Sequence, residues 1–234
     1  MNGLIFIAFG PEYDKMAAHC LSYSRNYTDI SITVITNLTE NQRHEKWNSV
    51  KNIEFRYIDK SQDSNRKIKT SINVISPYEK TLYLDCDVII QKEGIEQVFD
   101  LINDDSILLN LYGRWDANKK LAGVYRRTFV NNFVSLPANI YYGALVGFSK
   151  SNSINTFFET WHKCWVEGGS GRDMPALACA VKKTKIKVNE ISNKDKIFSW
   201  LIRKDFIIQH EYGTYLRKLV GCADFKQYKP FDKK

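Results

Sequence analysis

Asp85 and Asp87 stand one residue apart in an otherwise apolar run, T-L-Y-L-D-C-D-V-I-I, over residues 81–90. Ionised aspartate is rarely buried unless it is paired or bound to metal. Two carboxylates where a buried strand ends therefore call for a cation. Their side chains start on opposite faces of a continuing strand and converge if the chain bends at Cys86. Carboxylate oxygens suit Mg²⁺ or Mn²⁺, which keep open positions for a substrate phosphate. The plainer alternative is a pair of strand-end aspartates capping a turn.

Other residues of the right chemical types follow at strand ends. His210 closes the run I-I-Q-H and heads H-E-Y-G, then T-Y-L-R-K. A nitrogen ligand, a glycine turn and two cations suit a third metal ligand, with Arg217 or Lys218 neutralising phosphate. Arg66 and Lys69 are i, i+3 neighbours on a helical pattern and share a face. They could reach a diphosphate at the sheet edge or form a solvated charged face. The first apolar run ends at Ala8-Phe9-Gly10, with Tyr13 just beyond. Small residues let backbone approach a ligand, and an aromatic ring can stack on a base. Thr36 and Asn37 end the second run and offer polar groups to a nucleobase, or cap a turn. Asp173, ahead of Met174-Pro175, is a helix N-cap or a site carboxylate.

The elements that must carry these residues alternate. Residues 4–9, 30–36, 53–58 and 81–85 read as strands, with helical spacing at 12–26 and 64–76 and a polar helix around Trp47. Pro77 stops the third helical pattern. Residues 94–102 read as a helix and 106–110 as a short strand. This β-α alternation predicts an α/β fold with a mostly parallel, Rossmann-like central sheet and helices on both faces. Ligands of such sheets bind beyond the carboxyl ends of the strands. Residues 111–139, with Trp115, Tyr125, Phe129 and Phe133, have weak periodicity and read as a lid or acceptor loop, or an ordinary excursion. Residues 139–148 form a strand and 151–166 a helix whose Ile154, Phe157, Phe158, Trp161 and Trp165 make a core stripe. Asp173 opens another helix, and 186–188 and 206–208 are late strands.

At 234 residues the chain suits one domain that needs no disulfides. The expected division is a nucleotide-binding half, 1–110, and an acceptor-binding half, 111–234. The five cysteines (Cys20, Cys86, Cys164, Cys179, Cys222) are scattered without a C-x-x-C, which argues against zinc and fits reduced thiols. No run approaches the roughly 18 apolar residues that span a bilayer. The start lacks a basic region and cleavage signal, so a cytoplasmic location is expected. The net charge is +8. That charge would attract phosphorylated substrates and allows weak peripheral contact with anionic membrane. Without a dense Lys/Arg block, no dedicated nucleic-acid binding is expected.

The run K-T-S-I-N-V-I-S-P-Y-E-K-T-L-Y-L-D-C-D-V resembles the D-x-D region of nucleotide-diphospho-sugar glycosyltransferases with the GT-A fold, and is most similar to the family-8-like group of glycogenin and galactosyltransferases. Further segments agree in order: I-A-F-G-P-E-Y-D-K-M-A with the uridine-binding start, Y-Y-G-A-L-V-G-F-S-K and F-F-E-T-W with the N-S-G segment and its helix, G-R-D-M-P-A-L with D-Q-x-A-L, and H-E-Y-G with H-x-x-G. The resemblance implies that Asp85 contacts ribose and metal, Asp87 the metal, and that His210 completes the site. Ala8, Phe9, Tyr13 and Asn37 would seat the uridine, with Cys86 beside them. Arg66 or Lys69 would hold the donor and Lys218 the diphosphate. Asp173 would face the transferring sugar or acceptor as the catalytic carboxylate. Three departures stand out: N-S-G is Tyr142-Gly143-Ala144, the glutamine of D-Q is Met174, and K-P-W is absent.

The implied activity is metal-dependent transfer of a sugar from a UDP-sugar donor to a glycan or other hydroxyl acceptor in glycan biosynthesis, with retention and with Mn²⁺ or Mg²⁺ as cofactor. Two alternatives come from other classes. One is a haloacid-dehalogenase-type phosphatase with Asp85 as nucleophile, although Ile89 stands where that motif wants a small Thr or Val, and the motif follows three β-α units. The other is a non-catalytic sugar-nucleotide-binding module.

Overall fold

The computed structural model describes residues 1–59, 65–114, 122–132, 134–199 and 203–210. The expected β-α alternation becomes β1 Asn2–Ala8, α1 Gly10–Ser24, β2 Ile32–Thr36, β3 Ile53–Tyr57, α2 Asn65–Lys69, α3 Ile72–Ile75, β4 Lys80–Leu84, β5 Val88–Ile90, α4 Ile95–Asp100, β6 Ser106–Arg114, α5 Ala122–Asn131, β7 Asn139–Ser149, α6 Asn152–Glu167, α7 Asp173–Thr184, β8 Lys187–Ile191, β9 Phe198–Ser199 and β10 Ile208–His210.

Among the described residues, seven strands form one sheet in the order β3-β2-β1-β4-β7-β6-β8. Only β7 runs against its neighbours; β1 pairs in parallel with β2 and β4, β2 with β3, and β6 with β8. The sheet is therefore mostly parallel. A smaller sheet in the order β5-β10-β9 stands beside it. Strand order reverses about β1, since β2 lies on one side and β4 on the other. That switch opens a crevice beyond Ala8 and Leu84 where ligands of such sheets bind.

The period of two along each strand divides the core. Leu4, Phe6 and Ala8 of β1 and Leu82 and Leu84 of β4 face one layer, with Met16, Ala17 and Leu21 of α1, Val98 and Phe99 of α4, and Ile208 of the small sheet. Ile5, Ile7 and Tyr83 face the other, against Ile68, Ile72, Phe157, Trp161 and Leu177 from α2, α3, α6 and α7. Each large aliphatic or phenylalanine side chain among these contributes roughly 1.5–3 kcal/mol on burial, so the alternation determines which face every strand residue takes.

Three local expectations change. The single helix over 64–76 is two short helices, broken where Ser71 adopts φ −139° and ψ 19°. Thr70 Oγ1 donates to Lys67 O at 2.7 Å and Ser71 Oγ to Ile68 O at 3.3 Å. Hydroxyls that bond the local backbone compete with the helical ladder. The polar helix around Trp47 is two 3₁₀ turns, Glu40–Gln42 and Glu45–Ser49. Within 111–139, the strand β6 continues to Arg114 and α5 occupies Ala122–Asn131; Trp115 and Phe133 lie outside the described residues. No helix among the described residues is long and apolar enough to cross a membrane.

Candidate metal and donor site

The strand β4 stops at Leu84, and the chain turns over Asp85, Cys86 and Asp87, with Val88 N–H donating to Asp85 O at 3.0 Å. Asp85 N–H donates to Ala144 O of β7 at 3.0 Å, which anchors the turn to the sheet. The bend directs Cys86 into the core, 7% exposed, while both carboxylates stay half-buried at the surface of the crevice. The next three residues join the small sheet, where Val88 of β5 lies opposite His210 of β10 in antiparallel register. This pairing brings His210 back across the chain. One ligand atom from each of Asp85, Asp87 and His210 lies within 4.8 Å of the others. The three can hold a divalent cation, and two oxygens with one imidazole nitrogen suit a small ion that keeps further positions open.

His210 Nε2 lies 3.2 Å from Asp87 Oδ1. Burial opposes a charge on this imidazole, but the nearby Asp87 and Asp85 carboxylates outweigh it and raise its pKa above the usual value. The rings of Phe198 and Tyr142 flank it, with centroids 6.3 and 6.4 Å away.

On the other side of Asp85 lies a buried ion-pair relay. Lys69 Nζ stands 2.8 Å from Asp85 Oδ1 and 2.8 Å from Asp173 Oδ2. Burial opposes the ammonium, but Asp173 and Asp85 together hold its pKa above the ordinary lysine value. Burial likewise pushes the Asp173 carboxyl upward, and Lys69 overcomes it, so Asp173 is held below the usual carboxylate range. Arg66 reaches Asp173 Oδ1 only at 4.0 Å, with its side chain 55% exposed. Asp173 is the first helical residue of α7, whose N-cap is Arg172, so its carboxylate is not the cap and points into the site.

The relay has room because residue 143 is glycine. A Cβ there would lie 2.6 Å from Asp173 Oδ2 and 3.4 Å from Lys69 Nζ. The register of β7 against β6 also slips at this point, from Leu109 opposite Val146 to Asn110 opposite Tyr142. Residues 143–145 are thus bulged, a common device beside functional sites.

The remaining expected donor contacts lie along the same edge. Ala8 is fully buried at the end of β1 and Phe9 is 8% exposed, so both are largely closed off from solvent. Asn37 Oδ1 accepts from Gly10 N–H at 2.8 Å, and Asn65 Oδ1 from Phe9 N–H at 3.2 Å. Asn37 therefore ties the end of β2 to the start of α1, with its amide NH₂ left as the group that could meet a ligand. Tyr13 is half-buried against the α1 side of the core. Cys86 faces the core, so only its backbone is offered. Lys218, Arg217 and the glycine of H-E-Y-G lie outside the described residues.

Sequence reasoning missed the roles of Tyr83 and Gly143. Tyr83 Oη donates to Asp85 Oδ1 at 2.5 Å. The signal was present in the two-residue spacing, which puts Tyr83 and Asp85 on one face of the strand. The resemblance to the N-S-G segment drew attention to Gly143, but no local pattern gave the reason for a glycine there, because that requirement comes from Asp173 on a helix thirty residues later.

The chain matches no known protein-family profile. Among curated proteins it also has no match. Among solved structures it is similar to a crystal structure of the galactosyltransferase LgtC in complex with donor and acceptor sugar analogues, at 13% identity and a TM-score of 0.61, covering 97% of this chain and 98% of that one. The likeness extends over the full fold, which is the GT-A fold.

Proposed function

We propose that this chain is a metal-dependent glycosyltransferase that moves a sugar from a UDP-sugar to a hydroxyl of a glycan or other acceptor, with retention at the anomeric carbon. The observation that carries this reading is the Asp85, Asp87 and His210 group beside the crevice at the topological switch. The GT-A fold, shared with a galactosyltransferase structure holding donor and acceptor analogues, supports it.

In this reading the chain is one domain, with the nucleotide held by residues 1–110 and the acceptor by 111–234. Backbone at Ala8 and Phe9, the Asn37 amide and the Tyr13 ring seat the uridine. Asp85, Asp87 and His210 hold Mn²⁺ or Mg²⁺. When bound, the ion supplies Lewis-acid neutralisation of the charge that grows on the departing diphosphate. Lys69 adds a fixed positive charge next to that position, and Lys218 is a further candidate partner for the diphosphate.

Asp173 faces the sugar side of the relay. A carboxylate held below its ordinary pKa by Lys69 stays ionised at neutral pH and accepts protons poorly. That property suits orientation of the donor sugar and stabilisation of positive charge at the anomeric carbon better than general-base work. It therefore favours same-face attack, with the proton of the acceptor hydroxyl passing to the leaving phosphate. Cys86, Cys164 and Cys179 are free thiols, which accords with the cytoplasmic location we assign.

Calorimetry tests the reading. UDP should bind wild type only when Mn²⁺ is present, and binding should vanish in Asp87→Ala. Unchanged, metal-independent binding in that variant would overturn the site. A panel of nucleotide sugars with Mn²⁺, read by donor hydrolysis and anomeric analysis of product, then identifies the sugar and the stereochemistry.

A further inference from the structure

Among the described residues, the donors that hold the Asp85 carboxylate meet one oxygen. Tyr83 Oη donates to its Oδ1 at 2.5 Å. Lys69 Nζ stands 2.8 Å from the same Oδ1. A carboxylate oxygen has about two lone-pair sites, so two donors fill Oδ1 and leave Oδ2 as the oxygen with open lone pairs. Tyr83 cannot swing away: it is 2% exposed and its ring packs with Ile5, Ile7 and Phe9 on the α7 side of the sheet. The ring also lies under the ammonium of Lys69, 5.0 Å from Nζ. One tyrosine thus fixes both the carboxylate and the cation that shares it.

We infer that Tyr83 is a positioning residue that restricts Asp85 to single-oxygen ligation and so biases the Asp85, Asp87 and His210 group toward small octahedral ions and against calcium. The inference rests on the metal reading above. The physical basis is coordination geometry. Mg²⁺ takes six ligands at about 2.0–2.1 Å and one oxygen from each carboxylate, whereas Ca²⁺ takes roughly six to eight at 2.3–2.6 Å and readily uses both oxygens of one carboxylate. Mn²⁺ shares the octahedral, oxygen-rich preference of Mg²⁺. A carboxylate whose second oxygen is already occupied by a tyrosine hydroxyl and an ammonium offers calcium one ligand fewer. Donors behind a metal ligand typically change affinity by about 10- to 100-fold when removed.

The test uses the metal alone. Mn²⁺ binding is followed by electron paramagnetic resonance, and Mg²⁺ or Ca²⁺ is titrated as competitor against wild type and Tyr83→Phe. Removing the hydroxyl should weaken Mn²⁺ binding by about 10-fold and should move the Mg²⁺-to-Ca²⁺ preference toward calcium. A loss of rigidity alone would weaken both ions equally, so an unmoved ratio overturns the inference. A structure of wild type loaded with Mn²⁺ is the independent check, needing no variant: Asp85 must ligate through Oδ2 alone, and two-oxygen ligation overturns the inference. If wild type binds no Mn²⁺, the inference falls together with the proposed function. If wild type binds Mn²⁺ and only the ratio stays fixed, the inference alone falls.

Discussion

Lys69 Nζ lies 2.8 Å from Asp173 Oδ2, although the two residues are 104 positions apart. One closes a short helix before the central strand and the other opens a helix after it. The contact joins the two halves of the site through a buried charge pair. Such pairs contribute little net stability relative to apolar packing, but breaking one by removing a partner is costly. The pair therefore reads as functional geometry more than as a fold requirement.

Lys69→Met should expose this directly. The substitution leaves Asp173 and Asp85 without their buried cation, and Arg66 at 4.0 Å is too distant and solvated to replace it. The expected loss is about 3 kcal/mol of unfolding free energy, read from urea denaturation. Donor hydrolysis with UDP-sugar and Mn²⁺ should fall at least 100-fold. A stable and active Lys69→Met protein would exclude the relay from the mechanism.

Gly143→Ala separates donor binding from sugar transfer. The added methyl would press on Asp173 Oδ2 at 2.6 Å and displace it from Lys69. Overpacking of this kind costs about 1–3 kcal/mol. Turnover should drop by at least 10-fold, while UDP affinity in the presence of Mn²⁺ changes little, because Asp87 and His210 lie beyond Asp85. Equal losses in turnover and UDP affinity would show that Gly143 serves the whole crevice.

The His210 and Asp87 pair makes metal-free stability depend on pH. The folded-state pKa of His210 is raised above its unfolded value near 6.5. The stabilisation is fully present below the unfolded value and is lost as pH rises through the folded one. The midpoint of thermal unfolding without metal should therefore fall across that window, and His210→Ala should remove this step. Mn²⁺ affinity should run the opposite way, rising over the same window as the proton leaves the imidazole. Parallel pH profiles in wild type and His210→Ala would refute the coupling.

Gly3 is required for a different reason. A Cβ at this position would collide with the ring of Tyr78, whose hydroxyl and Thr33 Oγ1 are hydrogen-bonded at 2.8 Å. The ring is closely packed, 2% exposed, over the start of β1. Gly3→Ala should cost about 2 kcal/mol by forcing the ring aside. Tyr78→Phe should cost about 1 kcal/mol through the lost hydrogen bond. Both are read from denaturant midpoints, and neither should alter Mn²⁺ affinity, since Gly3 pairs with Thr81 at the start of β4 and the metal group follows the other end of that strand.

Much of the architecture was legible from local pattern. The apolar runs at 4–9, 30–36 and 81–85 became β1, β2 and β4 because short, continuous apolar runs suit strands of a sheet covered on both faces. Asp85 and Asp87 were legible as a candidate cation site because carboxylates at the end of such a run carry an unmet electrostatic demand. Other boundaries were less so. Ile68, Ile72 and Ile75 keep helical spacing across a break that the hydroxyls of Thr70 and Ser71 impose. The run expected over 206–208 is Ile208–His210 in the structure, since hydrophobicity alone does not specify where pairing begins.

The sequence by itself determined the strand pattern, the two-sided core and the pair of carboxylates, because hydrophobic period and side-chain charge are properties of neighbouring residues. Only the tertiary structure decided that Lys69 joins Asp85 to Asp173, that Tyr83 and Lys69 share one oxygen of Asp85, and that residue 143 has no space for a side chain. Those relations depend on strand order, on the slipped register of β7 and on where α7 begins. They arise when distant segments pack, and no local period encodes them.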